Sequence, residues 1–376
     1  VTTLDNPGTP FAVLDTTRLE RNIARLRDHL GSLGVPLRLH VKTSKSVEVA
    51  NRVHGSSGGP VTVSTLAEAE HFADAGYRDI LYAVGIDPHK LPRVAALIDR
   101  GVTVTVLLDS VAQAHALRRF AQEEGVAVSA LIEVDCDGHR GGVAPDDPAL
   151  IDIGKVLADR GQLAGVLTHA GESYFACTAD ALRLAARAER DVAVAAAEAL
   201  RAEGLPCPVV SAGSTPTAHA ATDLTGVTEV RAGNYVFFDL VMAGVGVCAI
   251  DDIALSVVVT VIGHQPAKGW ILTDGGWMAT SRDRGTAVQA VDQGYGLVAD
   301  LTGNLIPGLV MTGASQEHGI LAVRTGPVAD IPLGTRLRIL PNHACATAAQ
   351  YSRYHVVASA AAATEVAAIW PRHNGW

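Results

Sequence analysis

LRLHVK, residues 37–42, is the stretch on which the fold reading turns. Alternate side chains of a strand share a face. Leu37, Leu39 and Val41 therefore fall on one side, and Arg38, His40 and Lys42 on the other. In a barrel the apolar side meets the surrounding helices and the basic side enters the lumen. Cationic groups there carry a severe desolvation cost unless anions or a cofactor compensate. An edge strand with one solvated basic face fits the same residues, so this stretch alone leaves both readings open.

Further runs of the same kind decide between them. VTVST (61–65), DILYAV (79–84), TVTVLLD (103–109), ALIEVD (130–135), LAGVLTHA (163–170), VVSAG (209–213) and EVRAGNY (229–235) follow. Helical patterns such as DPHKLPRVAALIDRG (87–101) and ALRLAARAERDVAVAAAEALRAEG (181–204) lie between them. Strands alternating with helices predict βαβ units and a parallel sheet. Eight in succession predict a (β/α)8 barrel. A doubly wound sheet is the competitor, disfavoured by the count and by the lack of GxGxxG after the first strand. From about residue 250 short strands are divided by Gly, Pro and Asn without long helices. The expected organisation is a barrel over 16–245, with 1–15 and 246–376 forming a mostly β domain. FAVLD (11–15) joins the second, and a site is expected where barrel mouth and β domain meet.

The composition is that of an ordinary globular chain, 48% apolar and 18% charged over 376 residues. A net charge of −9 argues against nucleic acid or an anionic membrane surface as partner. No apolar run is long enough to span a bilayer, and the opening VTTLDNPGTPFAVLD does not read as a signal peptide. Cys136, Cys177, Cys207, Cys248 and Cys345 are scattered without a CxxC pair, which predicts no disulfide framework and a cytoplasmic location.

Lys42 stands at the C-terminal end of the first barrel strand, where barrel enzymes place their chemistry. There it is a candidate Schiff-base lysine, with Arg38 expected to keep its amine nucleophilic. After the seventh and eighth runs come Gly213, Ser214 and Thr215, then Gly233, Asn234 and Tyr235. Loops at those positions are the usual barrel phosphate site, although a Gly-Ser-Thr turn alone is equally an ordinary helix cap. PNHACAT places His343 and Cys345 two residues apart in a β-rich stretch. On a strand that spacing would let imidazole and thiolate grip one zinc ion with positions open for substrate. A capping histidine beside a buried cysteine is the local alternative. Glu317 and His318 are read either as support for that metal or as turn residues.

The chain resembles the D-serine dehydratase and D-threonine aldolase group, whose barrel is of alanine racemase type. The likeness runs through RLHVKTSK (38–45), VSTLAEAE (63–70), EVDCDGHRGGV (133–143), LTHAGESY (167–174) and SAGSTPTA (211–218). It continues through EVRAGNYVFFD (229–239), SQEHGIL (315–321) and LPNHACAT (340–347). The resemblance is nearest to the branch that dehydrates D-threo-3-hydroxyaspartate. It implies a lyase using pyridoxal 5'-phosphate on Lys42 and Zn2+, or another divalent ion, on His343 and Cys345. The Gly213 and Gly233 turns would hold the cofactor phosphate. His40, Arg140, His169 and Tyr174 would line the cofactor or substrate, with His169 and Tyr174 counted beside Lys42 as catalytic. Arg140 is otherwise an ion-pair partner, and His169 a core histidine. The implied reaction converts D-threo-3-hydroxyaspartate or D-serine to a 2-oxo acid and ammonia, and a homodimer is the assembly to expect. A metal-dependent D-threonine aldolase is the alternative. Those enzymes carry His-x-Asp at the metal and YHG in the strand-six loop, whereas this chain has His343-Ala344-Cys345 and HAG with Ala170.

Overall fold

The computed structural model describes residues 2–56, 58–327, 330–358 and 364–376. After a first strand, β1 (Phe11–Asp15), eight parallel strands close into a barrel. They are β2 (Leu37–His40), β3 (Val61–Val63), β4 (Asp79–Gly85), β5 (Thr103–Leu108), β6 (Ser129–Val134), β7 (Leu163–Thr168), β8 (Val209–Ala212) and β9 (Glu229–Ala232). The ring closes where Leu39 of β2 pairs with Ala232 of β9. All eight expected strands are present. All but β4 stop one or more residues short of the expected C-terminal end, because the backbone there turns into loops.

The lumen is divided in character. Leu81, Leu107, Leu131 and Leu167 form an apolar cluster on β4 to β7. Across from them Arg38 bonds Asp79 and Glu229, each at 2.8 Å. Ser211 donates to Glu229 at 2.6 Å, and Arg231 donates to Ser211 at 2.6 Å. Outside the wall, helices start at side-chain caps: Ser110, Asp147 and Thr178 each accept a first-turn N–H. The longest, Ala179–Ala202, buries Leu182, Ala186, Ala193, Ala196 and Leu200 on one stripe, with Glu189 among them.

The C-terminal strands are β10 (Leu255–Gln265), β11 (Trp270–Thr273), β12 (Gly296–Ala299) and β13 (Leu305–Ala314). β14 (Gly319–Val323), β15 (Arg336–Pro341), β16 (Arg353–Val357) and β17 (Ala368–Pro371) complete them. With β1 they form one nine-stranded sheet. β1 lies antiparallel to β10 and parallel to β16, as FAVLD had suggested. Val257, Val259, Ile271, Met311, Leu321 and Ile339 fill its core.

Two compact units result: Val1–Ala24 with Asn234–Arg372, and Arg25–Gly233 with His373–Trp376. The division falls at 233/234 rather than 245/246, because the intervening residues bond within the β unit. Val241 N–H donates to Asn342 O at 3.2 Å, Ala344 N–H donates to Asp239 at 2.9 Å, and Phe237 packs on Tyr354. Among the described residues no helix is long and apolar enough to cross a membrane.

Candidate active site

β2 ends at His40, and Val41–Ser44 form a tight turn that carries Lys42. The alternation read from LRLHVK therefore holds only as far as His40. His40 is bonded to the backbone of Thr62, and its Nδ1 accepts the Lys42 N–H at 3.4 Å. Burial first, then the charges of Lys42 and Arg231, hold its imidazole well below the usual histidine range. Arg38, expected to keep the Lys42 amine nucleophilic, is itself paired with two carboxylates, Asp79 and Glu229. Arg231 is the cation that shares this space. It is 4% exposed, and it bonds the neutral Ser211 Oγ and the Thr168 carbonyl at 2.6 and 2.5 Å.

His169 lies just past β7. Burial, then Lys42, lowers its pKa to about 3, with Arg231 and Arg140 adding to the effect. Its Nδ1 lies 3.1 Å from Gly213 O. A carbonyl only accepts, so Nδ1 carries the proton and Nε2 is left as an acceptor. Tyr174, in the turn Gly171–Phe175, has its ring 6.4 Å from that of His169. Arg140 pairs with Glu133 at 3.2 Å and lines a small concavity with Asp135, Asp137, His139 and His169.

In the unfolded chain His169 titrates near 6.5, and in the folded chain near 3. The unfolded state thus binds the extra proton between those values, and stability present above pH 6.5 is lost as pH falls toward 3. The melting temperature of the wild type should drop more steeply below pH 6.5 than that of His169→Gln. Parallel curves would show that His169 is not held neutral.

The Gly213–Ser214–Thr215 turn is a narrower cradle than expected. The Gly213 N–H already donates to Glu189 Oε1 at 3.1 Å, and the Ser214 N–H donates to Thr217 Oγ1 at 3.0 Å. The helix-cap reading holds for Ser214, which heads Thr215–Ala220. Gly213 serves a close backbone approach: at φ +132 its missing Cβ would sit 2.3 Å from Arg231 O. Gly233 does the same, with 2.5 Å to His40 O. Asn234 donates to the buried Asp239 at 2.6 Å, and Tyr235 is fully buried.

His343 and Cys345 are not two positions on a strand. β15 stops at Pro341, His343 caps the short helix Ala344–Ala348, and Cys345 lies in its first turn. They still meet, through a side-chain hydrogen bond. Asp283 holds His343 Nδ1 at 2.6 Å, leaving Nε2 as the nitrogen available to an ion. Burial opposes a charge on His343, but the bonds to Asp283 and Cys345 outweigh it and push its pKa up to about 11. Among the described residues no group of three ligating side chains surrounds the pair. Glu317 and His318 are exposed in the β13–β14 turn, where Ser315 N–H donates to His318 O. The carboxylate bonded to His343 is Asp283.

Both implied groups suit the residues present. Lys42 and Arg231 share a buried space, where an anionic group such as a phosphorylated cofactor would offset the cost of burying their charge. An imidazole and a thiol in contact, the imidazole oriented by a carboxylate, match zinc's donor preference. Sequence reading missed Arg231, Asp283 and Glu189. The first and third carried a usable signal, a charge on a barrel-facing strand position and one on the apolar stripe of a helix.

The alanine racemase N-terminal domain model matches residues 14–241, and the putative serine dehydratase domain matches 254–357. The chain is 58% identical to D-threo-3-hydroxyaspartate dehydratase of Delftia sp. over 100% of this chain and 99% of that protein. The solved structure of that enzyme superposes with a TM-score of 0.96, covering 100% of each chain at 56% identity. D-serine dehydratase of Dictyostelium discoideum is 29% identical over 94% of each. D-threonine aldolase from Filomicrobium marinum is 27% identical, with a TM-score of 0.83 over 99% of this chain and 97% of that one.

Proposed function

Because the chain belongs to the pyridoxal-phosphate-dependent D-serine dehydratase family with an alanine racemase-type barrel, we propose that it is a zinc-assisted dehydratase of D-threo-3-hydroxyaspartate. The products are a 2-oxo acid and ammonia. One observation carries the reading at the site: Lys42, in the turn that follows a barrel strand, shares a buried space with Arg231 and two neutral imidazoles.

Lys42 would hold the cofactor, with Arg231 helping to balance its negative charge. Pyridoxal phosphate, when bound, supplies an electron sink that makes the α-proton of an amino acid acidic. Lys42 Nζ takes that proton, and His40 and His169, held well below the usual histidine range, are too weakly basic to compete for it. His169 Nε2 offers an acceptor, and Tyr174 closes the same side of the pocket. His343 and Cys345 would hold zinc, which supplies Lewis acidity at the departing β-hydroxyl. Ala170 provides no base to deprotonate that hydroxyl, which disfavours retro-aldol cleavage.

Incubation with D-threo-3-hydroxyaspartate tests the reaction. Dehydration releases ammonia and oxaloacetate, whereas aldol cleavage releases glycine and glyoxylate. Cleavage products without ammonia would overturn the assignment.

The second carboxylate of a hydroxyaspartate needs a cation. Arg284 is paired with Asp292 at 2.7 Å, and Arg140 with Glu133 at 3.2 Å. Arg282 is exposed, its guanidinium 5.1 Å over the Trp277 ring, and it has no carboxylate partner among the described residues. Its neighbour Asp283 is the residue that holds His343. Of the three arginines considered, Arg282 is the one we propose for the distal carboxylate, as the one without a carboxylate partner among the described residues. A charge-assisted hydrogen bond contributes about 1.5–3 kcal/mol. Arg282→Ala should accordingly raise KM for hydroxyaspartate about 10–100-fold and leave KM for D-serine nearly unchanged. Equal losses on both substrates would remove the assignment.

A further inference from the structure

We propose that Glu189, which lies on a helix outside the barrel wall, is the positioning residue that fixes the tautomer and placement of His169. The inference rests on the reading that His169 lines the catalytic lumen, but its first test does not. Glu189 falls on the inward stripe of Ala179–Ala202, four residues from Ala193 and three from Ala186, where the spacing calls for a small apolar side chain. It is 3% exposed, and a carboxyl at such a place is costly unless its bonds are needed.

The bonds form a closed ring. Glu189 Oε1 accepts the Ala170 N–H at 2.8 Å and the Gly213 N–H at 3.1 Å. Ala170 directly follows His169, whose Nδ1 donates to Gly213 O at 3.1 Å. One buried oxygen thus spans the loops after β7 and β8. It sets the distance between the His169 backbone and the carbonyl that receives the Nδ1 proton. Ser173 Oγ lies 2.9 Å from Ser214 Oγ and joins the same loops farther out. Without Glu189 that hydroxyl pair keeps the loops together, but neither amide has a partner and the Gly213 carbonyl is free to rotate. His169 would then lose the contact that keeps Nε2 unprotonated toward the pocket.

The ring needs an accepting oxygen at residue 189 rather than a charge, which separates it from a purely electrostatic role. A glutamine offers such an oxygen and a leucine does not. Nitrogen-15 NMR of histidine-labelled holoenzyme reads the tautomer, with His169 identified by the signal lost in His169→Gln. In the wild type Nδ1 should carry the proton. Glu189→Gln should keep that pattern, with a much smaller loss of kcat than Glu189→Leu. Glu189→Leu should lose the pattern, with kcat falling about 100-fold, the scale of a misplacement near 1 Å, and KM changing little.

Protonation of wild-type His169 at Nε2 overturns the proposal, as does an unaltered pattern and kcat in Glu189→Leu. Should Glu189→Leu not fold, Glu189→Met, unbranched and likewise without an accepting oxygen, takes its place in both measurements. The tautomer is read on the protein itself, so failure of the dehydratase reading would abolish turnover in the wild type and leave this signal intact.

Discussion

Replacing Lys42 with alanine is expected to abolish activity and covalent cofactor attachment together. Lys42 is the amine at the end of β2, and its charge acts directly on His40 and His169. Neither imidazole can replace it in forming the bond to the cofactor, and with His169 shifted to about 3 neither is matched to act as an acid near neutral pH. Losing a positioned general base alone costs about 100- to 10,000-fold, and losing the covalent anchor adds to that. The measurement is borohydride reduction followed by mass spectrometry, alongside ammonia release. The wild type should carry the trapped cofactor on the peptide containing Lys42, and the variant should carry none. A variant that still traps cofactor, or still turns over, would place the chemistry at another residue. The variant also loses a charge that suppresses both imidazoles, so the His40 and His169 pKa values should rise. Burial, the larger cause, should keep them below the ordinary histidine range.

Removal of the metal should stop elimination while the cofactor stays bound. His343→Ala or Cys345→Ala deletes one of the two proposed donors, and Lewis-acid assistance contributes several kcal/mol. A loss of about 1,000-fold in kcat corresponds to roughly 4 kcal/mol. Metal content by atomic emission should fall in step with activity, with the visible absorbance of the cofactor retained. Asp283→Asn should be milder, since it weakens only the partner that orients His343, an effect of about 10- to 100-fold on metal affinity. Full activity after exhaustive chelation would exclude a zinc role.

The barrel was legible in the chain because its signal is periodic and local. Eight β-branched runs separated by helical stretches leave few ways to bury every apolar face, and the structure has eight strands where the runs stand. Lys42 was legible as the lysine that closes the first of these runs, although the strand itself ends at His40. The spacing of His343 and Cys345 anticipated that the two side chains meet, although the structural reason differs. A short helix begins at His343, so the first turn, and not a pleat, brings Cys345 back to it.

What the sequence by itself determined was the order and type of elements, the second β domain, and a set of candidate residues for the chemistry. Only the tertiary structure decided which charges meet. Arg38 neighbours Lys42 along the chain, yet its guanidinium goes to Asp79 and Glu229, whereas Arg231, from the last barrel strand, shares the lumen with Lys42. Asp283 reaches His343, and Glu189 reaches Ala170 and Gly213, across separations that no local pattern encodes. Secondary structure follows from the periodicity of neighbours, whereas the pKa and tautomer of a buried group depend on whatever closure of the sheet brings within a few ångströms of it.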